Sequence, residues 1–114
     1  MLKFPASERL KSSKQIEALF TEGKSAKSFP LLMRFMPAEL QAHKAAFAVS
    51  KRNFKSAVDR NRVKRLMREA YRLEKGQFQK TSARYLILFV YTGKNLPTLN
   101  ELRLLMVKLL KQLE

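Results

Sequence analysis

The chain contains no cysteine. Disulfide scaffolds and cysteine-based zinc sites are therefore excluded, and a reducing compartment is allowed. Nor is there a run near the roughly 20 apolar residues that a membrane helix needs. The longest run, Tyr85 to Tyr91, is far too short. The opening MLKFPASERLK has no apolar stretch of the signal-peptide kind, so the cytoplasm is the expected location. Acids are scarce, 9 Asp and Glu against 24 Lys and Arg. They are also scattered, at Glu8, Glu17, Glu22, Glu39, Asp59, Glu69, Glu74, Glu101 and Glu114. A metal-dependent phosphodiesterase needs such groups clustered to hold divalent ions. The single histidine, His43, lies in a predicted loop and reads as a surface residue rather than a general base. No glycine-rich phosphate loop of the Walker type is present. The chain is thus expected to carry no catalytic residue and to bind no metal or cofactor itself.

What is present is charge on a foldable chain. The net charge is +15, yet 46% of the residues are hydrophobic, so the chain can collapse and is not a basic tail. Its 114 residues fit one domain, 1–114, with one modest core. A globule under this much self-repulsion points to a polyanionic partner that relieves it. Nucleic acid is the first candidate and an anionic membrane surface the second. The competing reading is a merely soluble, highly charged surface.

There is no repeat or low-complexity tract. Ser12 opens a helix, with Gln15 as its capping-box partner and Gly23 as the stop. Ile16, Leu19 and Phe20 fall at helical spacing within it. Phe29 to Met36 alternates as a strand, with Leu31, Met33 and Phe35 on one face and Arg34 on the other. Pro37 is expected to end it, and the chain then turns through Lys44. Ala45 to Ser50 is a second short strand. Ser56 caps a helix running to about Leu73, with Asp59 in its first turn and Gly76 beyond as a breaker. Tyr85 to Tyr91 reads as a strand buried on both faces. Thr98 and Glu101 form a capping box for a last helix from Leu99, with Leu102, Leu105, Met106, Leu109 and Leu113 on one face. The order helix, strand, strand, helix, strand, helix predicts an α+β fold, an α/β sandwich with helices on a small mixed sheet. A hairpin of the first two strands is expected. The second helix would cross over between the second and third strands, right-handed by default.

That second helix concentrates the basic residues. Lys51, Arg52, Lys55, Arg60, Arg62, Lys64, Arg65, Arg68 and Arg72 crowd into KRNFKSAVDRNRVKRLMREAYR, opposed only by Asp59 and Glu69. At about 100° per residue, Val63, Leu66, Met67, Ala70 and Leu73 share one side with Asp59. Asn61, Lys64, Arg65, Arg68 and Arg72 fall opposite, with Arg60 and Arg62 on the shoulders. An ordinary solvated face would mix in acids at i,i+4. Here Lys64, Arg68 and Arg72 form a like-charged row, which makes sense if phosphates fill it. Arginine suits phosphate through its planar fork, and Asn61 adds a donor and an acceptor for a base edge or a 2′-hydroxyl.

The segments AFAVSKR and AVDRNRVKRLMREAYR, with their central Arg-Asn-Arg and following Lys-Arg, resemble the signature of the bacterial ribonuclease P protein family. RLKSSKQIEALFTEGKS is similar to that family's opening, and the resemblance runs from about Arg9 to the end. Lys55 stands where the family usually has Gly, and Ala45 where a basic residue is common. The resemblance implies a protein subunit without catalytic groups, in an enzyme whose catalytic RNA uses magnesium to cleave precursor tRNA at its mature 5′ end. It implies that the Arg-Asn-Arg helix and nearby loops bind the catalytic RNA. It implies a cleft between the first helix and the sheet for the single-stranded 5′ leader, and a left-handed crossover through the basic helix. The residues offer such a cleft in Phe20, Phe35 and Phe47, with Ile16 beside Phe20 and Arg34 to steer phosphates, because bases stack on exposed rings. For any one of these rings, packing in the core is the favoured reading. No protein partner and no membrane is expected. A ribosomal or other structural RNA-binding protein is the alternative from another class. DNA binding ranks lower, because no helix-turn-helix pairing precedes the basic helix.

Overall fold

The computed structural model describes residues 8–40, 42–78 and 83–113. Helix α1 (Ser13–Glu22) is followed by strands β1 (Lys24–Ser28), β2 (Leu31–Ala38) and β3 (Lys44–Val49). Helix α2 (Ala57–Glu74) runs into a 3₁₀ turn (Lys75–Phe78). Strand β4 (Arg84–Tyr91), helix α3 (Leu99–Leu110) and a final 3₁₀ turn (Lys111–Leu113) complete the order. The architecture is the expected α+β sandwich with one additional strand, β1.

The helix starts follow the sequence closely. The Ser12 hydroxyl accepts from Gln15 N–H and the Ser56 hydroxyl from Asp59 N–H. Thr98 and Glu101 close a full capping box. Each such cap is worth about 1 kcal/mol, and together they fix where the helices begin. Gly23 ends α1 by donating its N–H to the Leu19 carbonyl.

The sheet order is β1-β2-β4-β3. β4 runs antiparallel to β2 and parallel to β3, so α2 is the crossover of a βαβ unit. The expected hairpin between the Phe29–Met36 and Ala45–Ser50 strands does not form, because β4 inserts between them. The hairpin is instead β1 with β2, turning at Phe29 and Pro30, with Ser28 opposite Leu31. Pro37 does not end β2, which runs on to Ala38. β1 stops pairing at Lys24↔Phe35, so beyond that point β2 has no β1 neighbour and a residue without an N–H is tolerated.

The two faces of the sheet carry different loads. Leu31, Met33, Ala45, Val49, Ile87, Phe89 and Tyr91 pack beneath α2 and α3, against Val63, Met67, Ala70, Tyr71, Leu102, Met106 and Leu109. On the other face Leu86 and Leu88 meet Leu10 and Leu19, with Ile16, Met36, Ala46, Ala48 and Val90 around them. β4 is buried on both faces, as its unbroken apolar run required.

Partly buried ion pairs tie the periphery. Arg103 Nε donates to Glu74 Oε2 at 2.6 Å, and Lys75 Nζ to Glu8 Oε1 at 2.6 Å. The second contact fastens the segment before α1 to the C-terminal end of α2. His43 is not the surface residue expected. It is half-buried, its Nδ1 accepts from Tyr85 N–H at 3.0 Å, and its ring stacks on Tyr85. It thereby serves β4 as a side-chain extension of the β3 ladder.

Candidate nucleic-acid interface

α2 turns its apolar face to the sheet so completely that Val63, Met67 and Ala70 are at zero exposure. The opposite side is left to Asn61, Arg62, Arg65 and Arg68, all exposed, with Lys64 half-buried beside them. These four cations make no ion pair among the described residues. The like-charge repulsion along this row is a standing cost that an approaching polyanion removes.

Other predicted members sit differently. Arg72 is hydrogen-bonded to Glu69 one turn back, so it does not belong to an unpaired row with Lys64 and Arg68. The bond and charge of Arg72 hold the Glu69 carboxyl below its usual range. Arg60 donates through Nη1 to the carbonyls of Phe54 and Lys55 at 2.7 and 2.9 Å, bracing the turn that feeds α2. Lys55 is exposed, and no described non-glycine residue has a positive φ. A side chain at this position, where the resembling family usually has glycine, is therefore unstrained. Lys51 and Arg52 are exposed in the turn after β3, level with the start of α2. Tyr71, assigned to neither side of the helix from its period, is buried against Phe47 and Phe89, and burial pushes its phenol pKa up.

The predicted cleft residues split between the two faces of the sheet. Ile16 and Phe20 lie on α1, Phe20 with 56% of its surface exposed. Phe35 and Phe47 belong to the α2–α3 side: Phe47 stacks on Phe89, and Phe35 meets Tyr85 edge-on. They are half-buried rings packed against the core beneath α2 and α3, and they do not face α1. The cause is the parity of β2 and β3, whose odd-numbered residues point beneath α2 and α3.

Arg34 does lie on the α1 side, but its guanidinium is largely spent. Nε donates to Leu19 O at 2.8 Å, Nη2 to Phe20 O and Gly23 O at 3.1 Å, and Nη1 to Ser25 Oγ at 2.8 Å. It caps the C-terminal end of α1, sharing the Leu19 carbonyl with Gly23 N–H and taking those of Phe20 and Gly23, where a cation suits the dipole. Its carbon Cζ also lies 5.6 Å from the centre of the Phe20 ring. The expected role of steering phosphates is replaced by one of holding α1 and presenting Phe20.

α1 packs over β2 and β4. Ala46 and Ala48 of β3, with Val90, lie half-buried on the same face beside it. Their small side chains leave a shelf on the face of the sheet that Ile16 packs against. The sequence reading missed these positions, although AAFAV alternates and its even members could have been assigned once Phe47 was known to be core. Among the described residues no three His, Asp or Glu side chains gather as a metal site, and no helix is long and apolar enough to cross a membrane.

Residues 4–114 match the family model described as Ribonuclease P. The ribonuclease P protein component of Caldanaerobacter subterraneus is 36% identical over 86 residues, covering 75% of this chain and 71% of that protein. That of Chlorobium phaeobacteroides is 46% identical over 76 residues, covering 61% of this chain and 52% of its own. The chain thus spans between about half and about seven-tenths of these relatives. Among solved structures, the ribonuclease P protein of Thermotoga maritima superposes with a TM-score of 0.79 at 24% identity. That alignment covers 94% of this chain and 98% of the other.

Proposed function

The chain belongs to the ribonuclease P protein family, and on that premise we propose that α2 docks it on the family's catalytic RNA while the α1 face holds the 5′ leader of precursor tRNA. It is a component of a tRNA-processing ribonucleoprotein, not a nuclease in its own right. Its work is to bring two polyanions together. The single observation that carries the reading is the row Arg62, Lys64, Arg65 and Arg68 with Asn61, exposed on a helix whose other side is sealed against the sheet. The leader would run along Ile16, Phe20, Ala46 and Ala48, with a base stacked on Phe20. Lys51, Arg52 and Lys55 would extend the docking surface beyond the helix, and Arg60 and Arg72 would contribute charge while bracing it.

Magnesium belongs, in this proposal, to the RNA of the assembled enzyme. Among the described residues no three acids gather to hold it, and of the acids Glu69, Glu74 and Glu8 are bonded to Arg72, Arg103 and Lys75, while Glu101 is held in its capping box. The protein's part is to bind, orient and neutralise, which reduces the magnesium needed to fold RNA against RNA. The setting proposed is the cytoplasm. A ribosomal role has no comparable support once the family is known.

The test is affinity for the catalytic RNA across a salt series. Each phosphate contact contributes about one unit to the slope of log affinity against log salt. Changing Arg62, Arg65 and Arg68 together to Ala should flatten that slope by up to about three units. An unchanged slope would mean that this face of α2 looks into solvent.

A further inference from the structure

Where β3 and β4 end, three segments distant in sequence converge on an open groove: the β1–β2 turn, the turn after β3 and the loop before α3. The groove is a built structure. Thr92 donates its N–H and its hydroxyl to Pro30 O at 2.8 and 2.9 Å. Asn53 Nδ2 donates to Thr92 O at 2.8 Å, and the Tyr91 hydroxyl to Asn95 O at 2.8 Å. Gly93 fits so closely that a Cβ there would lie 2.6 Å from the Tyr91 oxygen and 3.0 Å from Pro30 Cβ.

On this fixed wall stand two apolar side chains that the core does not use. Phe29 is 69% exposed and Leu96 is 44% exposed. Lys51, Arg52 and Lys94 line the same groove. Lys27 Nζ lies 5.8 Å from the centre of the Phe29 ring. Glu101 is the only acid among the described lining residues, and its Oε1 is taken by Thr98 N–H and Oγ1 at 3.2 and 2.9 Å. An exposed ring with Lys27 over one face, cations about it and the one acid of the groove turned to its capping box, matches an unpaired nucleotide: the ring takes the base and the cations take the phosphates on either side. An acidic peptide would use the charges and leave the flat face idle.

We propose that this groove is a second single-stranded RNA site, in which one unpaired base stacks on Phe29 and the flanking phosphates lie against Lys51, Arg52 and Lys94. The site rests on the RNA-binding reading above and shares Lys51 and Arg52 with its docking surface, but its stacking ring Phe29 and its Lys94 are new to it, and neither α1 nor the outer row of α2 contributes. The unpaired nucleotide could come from the catalytic RNA or from the precursor leader, and the chemistry is the same.

The probe is fluorescently labelled deca-adenylate binding to the whole protein at low salt, followed by anisotropy. Phe29→Ala should weaken binding about 5- to 100-fold, the loss of one stacked base, and Phe29→Trp should retain it. The same loss should appear in a Phe20→Ala background, which separates this groove from the α1 shelf. Melting temperature should not move, because most of the Phe29 ring is in solvent. In the reconstituted enzyme, weakening limited to leader-bearing tRNA assigns the nucleotide to the leader, and weakening of the protein–RNA affinity assigns it to the catalytic RNA. Wild-type protein that does not bind deca-adenylate, a Phe29→Ala variant that binds as well as wild type, or an assembled enzyme unchanged in both arms would overturn the proposal. Failure of the α2 salt test with the Phe29 effect intact would reject the docking reading and leave this groove standing.

Discussion

Arg34 offers the sharpest test of how α1 is held. Its guanidinium gathers three carbonyls of α1 and its C-cap, and one hydroxyl on β1. A hydrogen bond of this kind contributes about 0.5–1.5 kcal/mol net. Three of the four secure carbonyls at the helix end, and the side chain is only half-buried, so solvent replaces part of what is lost. Arg34→Ala should therefore cost about 2–3 kcal/mol, and for a domain of this size that lowers the melting temperature by about 6–15 °C. Arg34→Lys is the more telling variant. It keeps the charge, but a single ammonium cannot reach acceptors spread around a planar fork, so most of the loss should remain. Urea unfolding followed by circular dichroism measures both, and leader-bearing tRNA affinity should fall with the displaced Phe20. If the Lys variant is as stable as wild type, the carbonyl contacts carry no weight. If the Ala variant is stable but flattens the salt dependence of tRNA binding, Arg34 is a phosphate ligand after all.

Phe20→Ala should leave the fold nearly unchanged, because the ring is more than half exposed. It should weaken leader-bearing tRNA by about 1–3 kcal/mol relative to mature tRNA, and an unaltered affinity ratio would remove Phe20 from the leader path. Tyr71 has its phenol pKa raised by burial, so the folded chain keeps a proton that the unfolded chain gives up near the ordinary value of about 10. Stability should be constant below that pH and fall above it, by up to about 1.4 kcal/mol per pH unit for this one group. Tyr71→Phe should shallow the alkaline limb of a melting-temperature profile, and an identical limb would contradict the assignment. His43→Phe keeps an aromatic ring against Tyr85 but withdraws the acceptor from its N–H. It should cost about 1–2 kcal/mol in unfolding experiments while the cleavage rate of the assembled enzyme stays close to wild type.

Local chemistry was legible in the sequence, and long-range pairing was not. Ser12, Ser56 and the Thr98–Glu101 pair act over three residues, so their caps could be read directly. The two sides of α2 followed from its period. β1 escaped notice because KSAKS has no apolar alternation; it is a strand by virtue of its pairing with β2, not its own pattern. The place of β4 between β2 and β3 depends on contacts between segments some 40 or more residues apart in sequence, which no local period encodes. That placement decides which face each strand residue joins. It put Phe35 and Phe47 against the core beneath α2 and α3, while Ala46 and Ala48, unremarkable as letters, came to lie on the α1 face of the sheet with Ile16. Arg34 was placed on the correct face, but its neighbours there are carbonyls of α1, and a backbone partner leaves no mark in a side-chain pattern.

The two borders of the sheet bear on how a chain of this charge survives before it finds its RNA. A strand with open N–H and C=O groups on one side is a template for another molecule's strand. β1 forms one border and is KSAKS, with Lys24 and Lys27 exposed. Two such borders meeting would set lysine against lysine. The other border, β3, is partly covered by the chain itself: Leu10 N–H donates to Ala45 O at 2.9 Å, and Arg9 bridges Ala45. The ion pair of Glu8 with Lys75 anchors that cover on α2. The small residue at Ala45, where a cation is common in the family, lies where this cover crosses. One border thus repels its own kind and the other is sheltered, so strand pairing between newly made chains is opposed at both borders without any contribution from the RNA.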